Sequence, residues 1–372
     1  MKTIETKAPG KLYIAGEYAV VEPGHTAIIT AVNSFVTARI SASDNEQGSI
    51  YSEGFTSEPV GWSRTEDKVT LVHSESDLKY VLAAIQKTEA YLAENDYELV
   101  YFDLDLNSEL DDESGNKFGL GSSSAVTVAT VKAVLKLYGA KTSDLLVFKL
   151  SVLAQMSLGV NSSFGDIAAS TYTGWIQYTS FDRDFVRNIR DSRSISETVD
   201  AYWPKIMIKR MKVAKMLLLL VGWTGSPASS HHLVGSVQEK KEQTAEQYEH
   251  FLQETKDSIT LLTIGLEENN PKKIKDAIRR NRKALMDMSE QTGVVIETPL
   301  LKELCQIAIR HGGAAKTSGA GGGDSGIAFV FSKNILNRLK MSGRTKELPH
   351  FPFGYIKNNI NLEEMNEYTN KS

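Results

Sequence analysis

A loop rich in glycine and serine stands directly before a long helix-forming segment, at residues 117–126 (KFGLGSSSAV). The first N–H groups of a helix have no partner within the helix, and the helix dipole is positive at that end. Glycines let a phosphate approach the backbone closely, and serines add hydroxyl donors or a ligand for a hard cation. No Lys-Ser or Lys-Thr pair follows the glycines, so the loop is not a P-loop. It predicts a phosphate-binding turn, and an ordinary helix cap is the alternative.

The composition limits which binding partners and which cellular compartment we expect for the protein. The chain has 372 residues, with 42 Lys and Arg against 46 Asp and Glu, and a net charge of −4. This balance gives no support for binding to nucleic acid or to a membrane surface. Cys305 is the only cysteine, which excludes an internal disulfide framework and fits a reducing compartment. Residues 1–7 lack the apolar core of a signal peptide, and the longest apolar run, 216–221, is too short to span a bilayer. We therefore expect a cytoplasmic protein of undetermined oligomeric state.

Strand-like and helix-like segments alternate along the chain without a repeat. Spacing of the apolar residues predicts strands at 11–15, 26–41, 99–106, 175–179, 214–223 and 326–331, and helices at 78–94, 125–138, 142–158, 236–266, 271–290 and 299–311. Residues 42–69 are polar and contain glycines, which is typical of a hairpin and loop. The pattern favours an α+β fold in both halves. We place the domain boundary in the charged stretch after residue 181, giving domains 1–195 and 196–372.

Two more segments combine glycines with small polar residues beside a predicted strand. Residues 8–20 place Lys11 just after a Pro-Gly turn, and residues 316–325 (KTSGAGGGDS) form a loop in which most side chains are small or absent. A single glycine-rich loop is often a flexible connector. Three such loops, spaced across the chain and each next to a core element, are much harder to explain as linkers.

The three segments resemble, in order, the signature motifs of the GHMP small-molecule kinases, which include galactokinase, homoserine kinase, mevalonate kinase and phosphomevalonate kinase. The motifs span most of the chain, from residue 8 to residue 324. The resemblance implies an N-terminal domain like domain 2 of ribosomal protein S5, a C-terminal ferredoxin-like domain, and an active site in the cleft between them. It also implies transfer of a phosphoryl group from ATP with the help of Mg²⁺.

The resemblance carries specific roles onto residues of this chain. It implies that Lys11 and Asp166 are catalytic, with Asp166 either acting as a base or orienting Lys11 and the acceptor. Gln155 stands where mevalonate kinases have a metal-binding glutamate, and an amide is a poorer Mg²⁺ ligand than a carboxylate. Mg²⁺ is therefore assigned to Ser123, with Ser122 as the alternative. The residues implied to hold ATP are Lys117, Gly119, Leu120, Gly121, Ser122, Ser123 and Ser124.

The acceptor is indicated by residues 221–230 (VGWTGSPASS), which resemble a segment of the bacterial-type phosphomevalonate kinases. A phosphate acceptor is already largely ionised near pH 7, because its second pKa is about 6, so its site needs cations more than a base. The residues implied to bind phosphomevalonate are Glu17, Tyr18, Asn161, Ser163, Arg193, Trp223, Thr224, Ser229, Ser230, Ser318, Gly319, Ala320, Gly321 and Gly322. Residues 58–62 are a candidate border of the adenine. Mevalonate kinase and a non-catalytic nucleotide-binding regulator remain as alternatives.

Overall fold

The structure is a computed structural model that describes residues 2–65, 68–72, 78–110, 119–213, 217–225, 230–332, 334–335 and 354–356. Two β-sheets divide these residues into a first domain, which runs to strand β8, and a second domain, which begins at strand β9. No helix among the described residues is long and apolar enough to cross a membrane.

The first domain is built on a mixed sheet of eight strands, whose order is β5-β4-β3-β6-β2-β7-β8, with β1 paired to β2. Its elements are β1 (Ile4–Ala15), β2 (Thr26–Ala42), β3 (Gly48–Ser52), β4 (Val60–Thr65), β5 (Lys68–Leu71), α1 (Lys79–Glu94), β6 (Phe102–Ser108), α2 (Ser122–Leu137), α3 (Asp144–Ser157), α4 (Gly165–Tyr172), β7 (Trp175–Thr179), α5 (Arg183–Ser192), α6 (Ile195–Asp200) and β8 (Met207–Arg210). The long strand β2 pairs with β6 near its end and with β7 near its start. Helix α2 packs on β1 and β2 and is buried along most of its length, which explains its run of alanine, valine and threonine.

The second domain has a four-stranded antiparallel sheet, in the order β10-β11-β9-β12. Its elements are β9 (Leu218–Trp223), α7 (Ser230–Lys240), α8 (Ala245–Glu267), α9 (Pro271–Thr292), α10 (Pro299–Arg310), β10 (Ala314–Ser318), β11 (Ser325–Val330) and β12 (Gly354–Ile356). Helices α8 and α9 pack side by side as a hairpin. Asn270 and Thr298 cap α9 and α10 with their side chains, and a proline follows each cap.

A carboxylate hub at Glu22 joins the two domains. Oε1 of Glu22, in the turn between β1 and β2, accepts hydrogen bonds from Lys241 Nζ at 2.7 Å, Tyr248 Oη at 3.0 Å and Gln238 Nε2 at 3.2 Å. Burial alone would raise the pKa of Glu22, but donation by Lys241, Gln238 and Tyr248 outweighs burial and lowers it. The hub therefore ties α7 and α8 to the first domain with an ionised carboxylate.

Most predicted helices and strands are present with small shifts. Strand β1 begins at Ile4 rather than at residue 11, and the helix predicted at 236–266 is two helices, α7 and α8, with a break between residues 240 and 245. Residues 42–69 contain strands β3 and β4, which pair as an antiparallel hairpin as expected, and the start of β5, which pairs with β4; all three strands extend the first sheet. The first sheet continues to Arg210 through β8, fifteen residues beyond the boundary placed after residue 195. The boundary at residue 195 stays a prediction, although β8 belongs with the elements before it.

Candidate active site

The loop before α2 is shaped by two glycines and held by Lys11. Gly119 and Gly121 have φ of 72° and 80°, in the left-handed region that favours glycine. Gly121 is the N-cap of α2 and provides no side-chain cap. The Lys11 backbone N–H donates to the Leu120 carbonyl at 2.8 Å, and Lys11 Nζ donates to the Gly119 carbonyl at 3.0 Å. The first turn of α2 and a buried ammonium group therefore meet at one place.

Asp166 belongs to helix α4 and is hydrogen-bonded to helix α2. It lies in the first turn of α4, where Phe164 adopts a left-handed φ of 58° as the N-cap. Asp166 Oδ2 accepts a hydrogen bond from Ser124 Oγ at 2.7 Å. A Cβ placed on Gly121 would lie 3.1 Å from Lys11 Cε and 3.8 Å from Asp166 Cβ. Lys11, Asp166 and the loop are thus neighbours, as the resemblance implied.

Ser163 and Tyr13 extend this group along β1. The Tyr13 and Ser163 hydroxyls are hydrogen-bonded at 3.1 Å, and the Ser163 carbonyl accepts from the buried Tyr178 hydroxyl at 2.5 Å. Burial raises the pKa of Tyr13, and the nearby charge of Asp166 raises it further. The tyrosine hydroxyls therefore stay neutral near pH 7 and act as hydrogen-bonding groups.

The third glycine-rich loop packs against the first. Ser318 Oγ donates to the Tyr13 carbonyl at 2.8 Å, and Tyr18 Oη donates to the Ala320 carbonyl at 2.5 Å. A Cβ on Gly321 would overlap the Ile296 carbonyl, and that same carbonyl accepts from the neighbouring Gly322 N–H at 2.8 Å. Gly319 has φ of 79° and open space around it.

The second and third loops also approach each other closely. A Cβ on Gly119 would lie 2.6 Å from Asp324 Cγ, which real side chains do not tolerate. The Asp324 carbonyl accepts from the Thr224 N–H at 2.8 Å, just past the end of β9. Trp223, the last residue of β9, is the register partner of Ser325. The start of the 221–230 segment is therefore adjacent to the loops.

Glu17 and Lys316 form an ion pair between the domains at the base of this site. Glu17 is 2% exposed and Lys316 is fully buried. Lys316 Nζ donates to Glu17 Oε1 and to the Thr317 carbonyl, the latter at 2.7 Å. Glu17 Oε2 is buried and has no hydrogen-bond partner among the described residues.

Burial and several carboxylates act on the Lys11 ammonium. Burial lowers the pKa of Lys11, while the carboxylates of Asp166, Asp324 and Glu17 oppose that shift in decreasing order. The Lys11 ammonium also lies 5.7 Å from the centre of the Tyr13 ring. The carboxylates favour the protonated form of Lys11, whose positive charge can then stabilise a bound phosphate.

The residues available to a metal ion are few. Gln155 Nε2 faces the Ser123 carbonyl and the Ser124 and Thr127 hydroxyls, each at 3.3 Å. Gln155 thus ties α3 to α2 as a donor at the position where a carboxylate ligand would be needed. Among the described residues no group of three or more His, Cys, Asp or Glu side chains is arranged to hold a metal. The Ser123 hydroxyl remains the predicted ligand.

A cavity of about 190 Å³ opens beside the loop. Ser122 and Ser123 form one wall, and apolar side chains form much of the rest. The other lining residues are Val36, Ser52, Phe55, Leu78, Lys79, Tyr80, Val81, Leu106, Asn107, Ser108 and Val126. The adenine border expected at residues 58–62 is not among them, and Trp62 is fully buried, with its Nε1 donating to the Phe102 carbonyl.

Among the described residues no contact joins Arg193 to the site, so its assignment stays a prediction. The start of α1 lines the cavity, whereas Glu94 at the end of α1 accepts from the N–H groups of Ile195 and Ser196 at 3.0 and 2.6 Å. The 16 residues of α1 span about 24 Å. Arg193, two residues before Ile195, is exposed at the far end of that distance.

Four other predicted residues are not part of the described group. Asn161 is exposed, and no described contact joins it to the loops. Lys117 and Ser229 lie outside the described residues, and Ser230 is described only as the first residue of α7.

Sequence reasoning missed Lys316, Tyr13 and Asp324 as site residues. Lys316 and Asp324 flank the small residues of the third loop, and Tyr13 follows Lys11 by two positions on β1, so each belongs to a motif that was recognised. Side chains two apart on a strand point to one face, which was an available signal for Tyr13. The cavity residues carry no comparable signal.

Comparison with known proteins identifies the fold. A family model described as the GHMP kinases N terminal domain matches residues 79–174, and one described as GHMP kinases C terminal matches residues 263–340. A phosphomevalonate kinase of Streptomyces sp. (strain CL190) is 39% identical over 88% of this chain and 90% of its own length. Matched mevalonate kinases share 24–29% identity.

Solved structures of similar proteins share the two-domain fold. The Lin0012 protein of Listeria innocua has a TM-score of 0.87 at 34% identity, covering 96% of this chain and 98% of that one. The phosphomevalonate kinase of Streptococcus pneumoniae, in complex with phosphomevalonate and AMPPNP, has a TM-score of 0.80 at 31% identity, covering 94% and 100%. The predicted two-domain fold is confirmed.

Proposed function

The chain belongs to the GHMP kinases, a family of phosphotransferases, and we propose that it transfers the γ-phosphoryl group of ATP to 5-phosphomevalonate. The observation that carries the chemistry is the position of Lys11, whose backbone and side chain both bind the loop that begins α2, beside Asp166. A buried ammonium between a phosphate loop and a carboxylate suits a reaction in which two polyanions must meet.

The choice of acceptor is supported by likeness to two phosphomevalonate kinases at 39% and 31% identity. It also fits Gln155. In a mevalonate kinase the acceptor is an alcohol, so the reaction would benefit from a base and from a second carboxylate near the metal. Here the amide of Gln155 is engaged with α2, and the acceptor we propose is ionised before it binds.

The reaction makes one P–O bond and breaks one. An oxygen of the acceptor phosphate attacks the γ-phosphorus in line, the bond to the β-phosphate oxygen breaks, and ADP leaves with that electron pair. Lys11 stabilises the charge shared between donor and acceptor, and the N–H groups of the loop and of the start of α2 bind the β- and γ-phosphates. Asp166, held by Ser124, orients Lys11 and the acceptor, and no base is required.

Mg²⁺ fits this site as an ion held chiefly by the nucleotide. The Ser123 hydroxyl in the first turn of α2 supplies an oxygen ligand of the kind that Mg²⁺ prefers. When bound, the ion neutralises charge on the β- and γ-phosphates. We assign the cavity beside Ser122 and Ser123 to the nucleoside of ATP, because its apolar walls adjoin the phosphate loop.

The test is a coupled assay of ADP release with phosphomevalonate, mevalonate and galactose as acceptors. We expect turnover with phosphomevalonate and background rates with the other two. Turnover with mevalonate and none with phosphomevalonate would reject the acceptor and leave the family assignment standing. Nucleotide binding without turnover on any acceptor would favour a non-catalytic regulator.

A further inference from the structure

Arg183 is a half-buried arginine that the fold leaves without a full set of partners. It is the first residue of α5, directly after β7 and the turn at Ser180 to Asp182. Its Nη1 is buried and has no hydrogen-bond partner among the described residues. Two other arginines that are largely buried are treated differently. Arg64 and Arg282 each make a two-pronged contact with a glutamate, Glu89 and Glu297.

This position of Arg183 does not serve stability. A buried donor without a partner costs about 1–3 kcal/mol, and a cation in the first turn of a helix also opposes the helix dipole. The charges of Glu22 and Asp184 act on Arg183, yet the described hydrogen bonds of both carboxylates go to other residues. Asp184 accepts from Arg187 at 2.5 Å, and Glu22 Oε1 accepts from α7 and α8. A charged group retained at such a cost is best explained by a ligand that it binds.

The surroundings of Arg183 place it beside the candidate active site. Tyr178 has the largest electrostatic effect on Arg183 of any side chain. The Tyr178 hydroxyl donates to the carbonyl of Ser163, and its ring lies against Gly165, the residue before Asp166. Two opposite charges act on the Tyr178 hydroxyl: Arg183 lowers its pKa and Asp166 raises it. The charge of Arg183 also acts on Tyr248 of α8, so the guanidinium lies near a residue of the second domain.

We propose that Arg183 binds the carboxylate of the acceptor, at the end of the molecule opposite to the phosphate that reacts. This inference rests on the proposed function. Phosphomevalonate has a phosphate at one end and a carboxylate at the other, and Lys11 serves the phosphate end. Tyr178 and Ser163 separate Arg183 from Lys11 and Asp166, which suits the two ends of one short chain. A guanidinium binds a carboxylate through two parallel hydrogen bonds and so selects for that group.

The test uses the full-length protein in steady-state assays with ATP and phosphomevalonate. Arg183→Gln is expected to raise the KM for phosphomevalonate about 10- to 100-fold, with kcat and the KM for ATP changed less than about 3-fold. Arg187→Gln, one turn later in the same helix and exposed, is the matched control and should leave all three constants unchanged. Because Nη1 has no hydrogen-bond partner among the described residues and its charge opposes the helix dipole, Arg183→Gln should keep or raise the thermal midpoint of the parent protein.

A second substrate separates binding from a structural role. The analogue that carries a carboxamide in place of the carboxylate should lose about as much affinity with the parent protein as Arg183→Gln loses with phosphomevalonate. With Arg183→Gln the analogue should lose little more, because both changes remove the same interaction.

The outcomes are distinct. An unchanged KM in Arg183→Gln, or equal losses with the analogue in both proteins, would overturn the assignment of Arg183. So would a lowered thermal midpoint with an unchanged KM, which would mean that Arg183 is structural. Absence of turnover on phosphomevalonate by the parent protein would instead reject the proposed function, before Arg183 is considered.

Discussion

Glu17 and Lys316 are 299 residues apart in the chain and form a fully buried ion pair that joins the two domains. The pair connects the turn after β1 to the strand that leads into the third loop. Glu17 Oε2 remains without a partner among the described residues, so the pair is not optimised for stability alone. Its position next to Lys11 indicates that it sets how the first and third loops meet.

Breaking this pair should be costly, and replacing both partners should not be. Lys316→Met leaves the Glu17 carboxylate buried and unpaired, so we expect the free energy of unfolding to fall by about 3–5 kcal/mol. The double variant Glu17→Leu/Lys316→Met should recover most of that loss, because no charge is then buried. It should still turn over poorly, because Glu17 is predicted to bind the acceptor. Chemical denaturation and the coupled assay measure the two effects.

The exposed pair of Arg310 and Glu303 provides the control. Arg310→Met should change the free energy of unfolding by less than about 1 kcal/mol. If Lys316→Met behaved like Arg310→Met, the ion pair would not be a significant contact between the domains. Full activity in the double variant would make its role purely structural.

Lys11 should act on the transition state more than on substrate binding. Lys11→Met is expected to lower kcat by at least ~10²-fold with a smaller effect on either KM, because the charge that Lys11 stabilises is greatest during transfer. Steady-state kinetics with varied concentrations of ATP and phosphomevalonate measure kcat and the two KM values separately. An unchanged kcat would mean that another cation performs this task.

The buried setting of Lys11 also predicts a pH dependence. Its pKa is lowered from the ordinary value of 10.5, chiefly by burial, so the ammonium loses its proton at a lower pH than an exposed lysine. The kcat/KM of the free enzyme should therefore fall on the alkaline side, with an apparent pKa below 10.5. Lys11→Arg should remove this fall in whatever activity it retains. An alkaline limb that persists in Lys11→Arg belongs to another group.

Gly119 is required for the approach of the second and third loops. Gly119→Ala would bring a methyl group within 2.6 Å of Asp324 Cγ at a φ of 72°, so we expect the KM for ATP to rise more than about 10-fold. Gly139→Ala is the control, because Gly139 has a φ of 62° with open space around it. The two variants share the backbone strain, about 1 kcal/mol, and differ in the clash. Equal kinetics in both would argue against close contact between the loops.

Glu22 should contribute stability that depends on pH in one direction. Its folded-state pKa lies below the ordinary 4.5, so its contribution is present above that pH and is lost as the pH falls through the folded-state value. Glu22→Gln should lower the free energy of unfolding by about 1 kcal/mol at pH 7, and the difference should shrink below about pH 4. Thermal melting of both proteins from pH 7 to pH 3 measures this. A difference that grows on acidification would contradict the hub.

The parts of the site that sequence could predict are those encoded locally. The glycines, serines and lysine of the three motifs lie beside strands and helices that the spacing of apolar residues predicts. The structure places Lys11, Asp166 and residues 119–124 together. Helix α2 begins at Ser122 rather than at residue 125, because Gly121 adopts the left-handed conformation of an N-cap. The serines of the loop thus belong to the first turn of the helix.

The parts that sequence could not predict depend on distant contacts. No local pattern joins Glu17 to Lys316, and the polar residues of β3, β4 and β5 obscure where the strands of the predicted hairpin begin and end. Arg193 and Arg183 are ten positions apart in a charged stretch, and charge alone gave no means of choosing between them. Burial distinguishes them, because Arg193 is exposed whereas Nη1 of Arg183 is enclosed.

The most direct test of the central claim is the identity of the product. Phosphorus-31 NMR of the protein incubated with ATP, Mg²⁺ and phosphomevalonate should show the phosphate monoester signal replaced by two coupled signals of a diphosphate ester, in step with ADP formation. With mevalonate in place of phosphomevalonate, no new monoester should form. A monoester formed from mevalonate, with phosphomevalonate unchanged, would contradict the account.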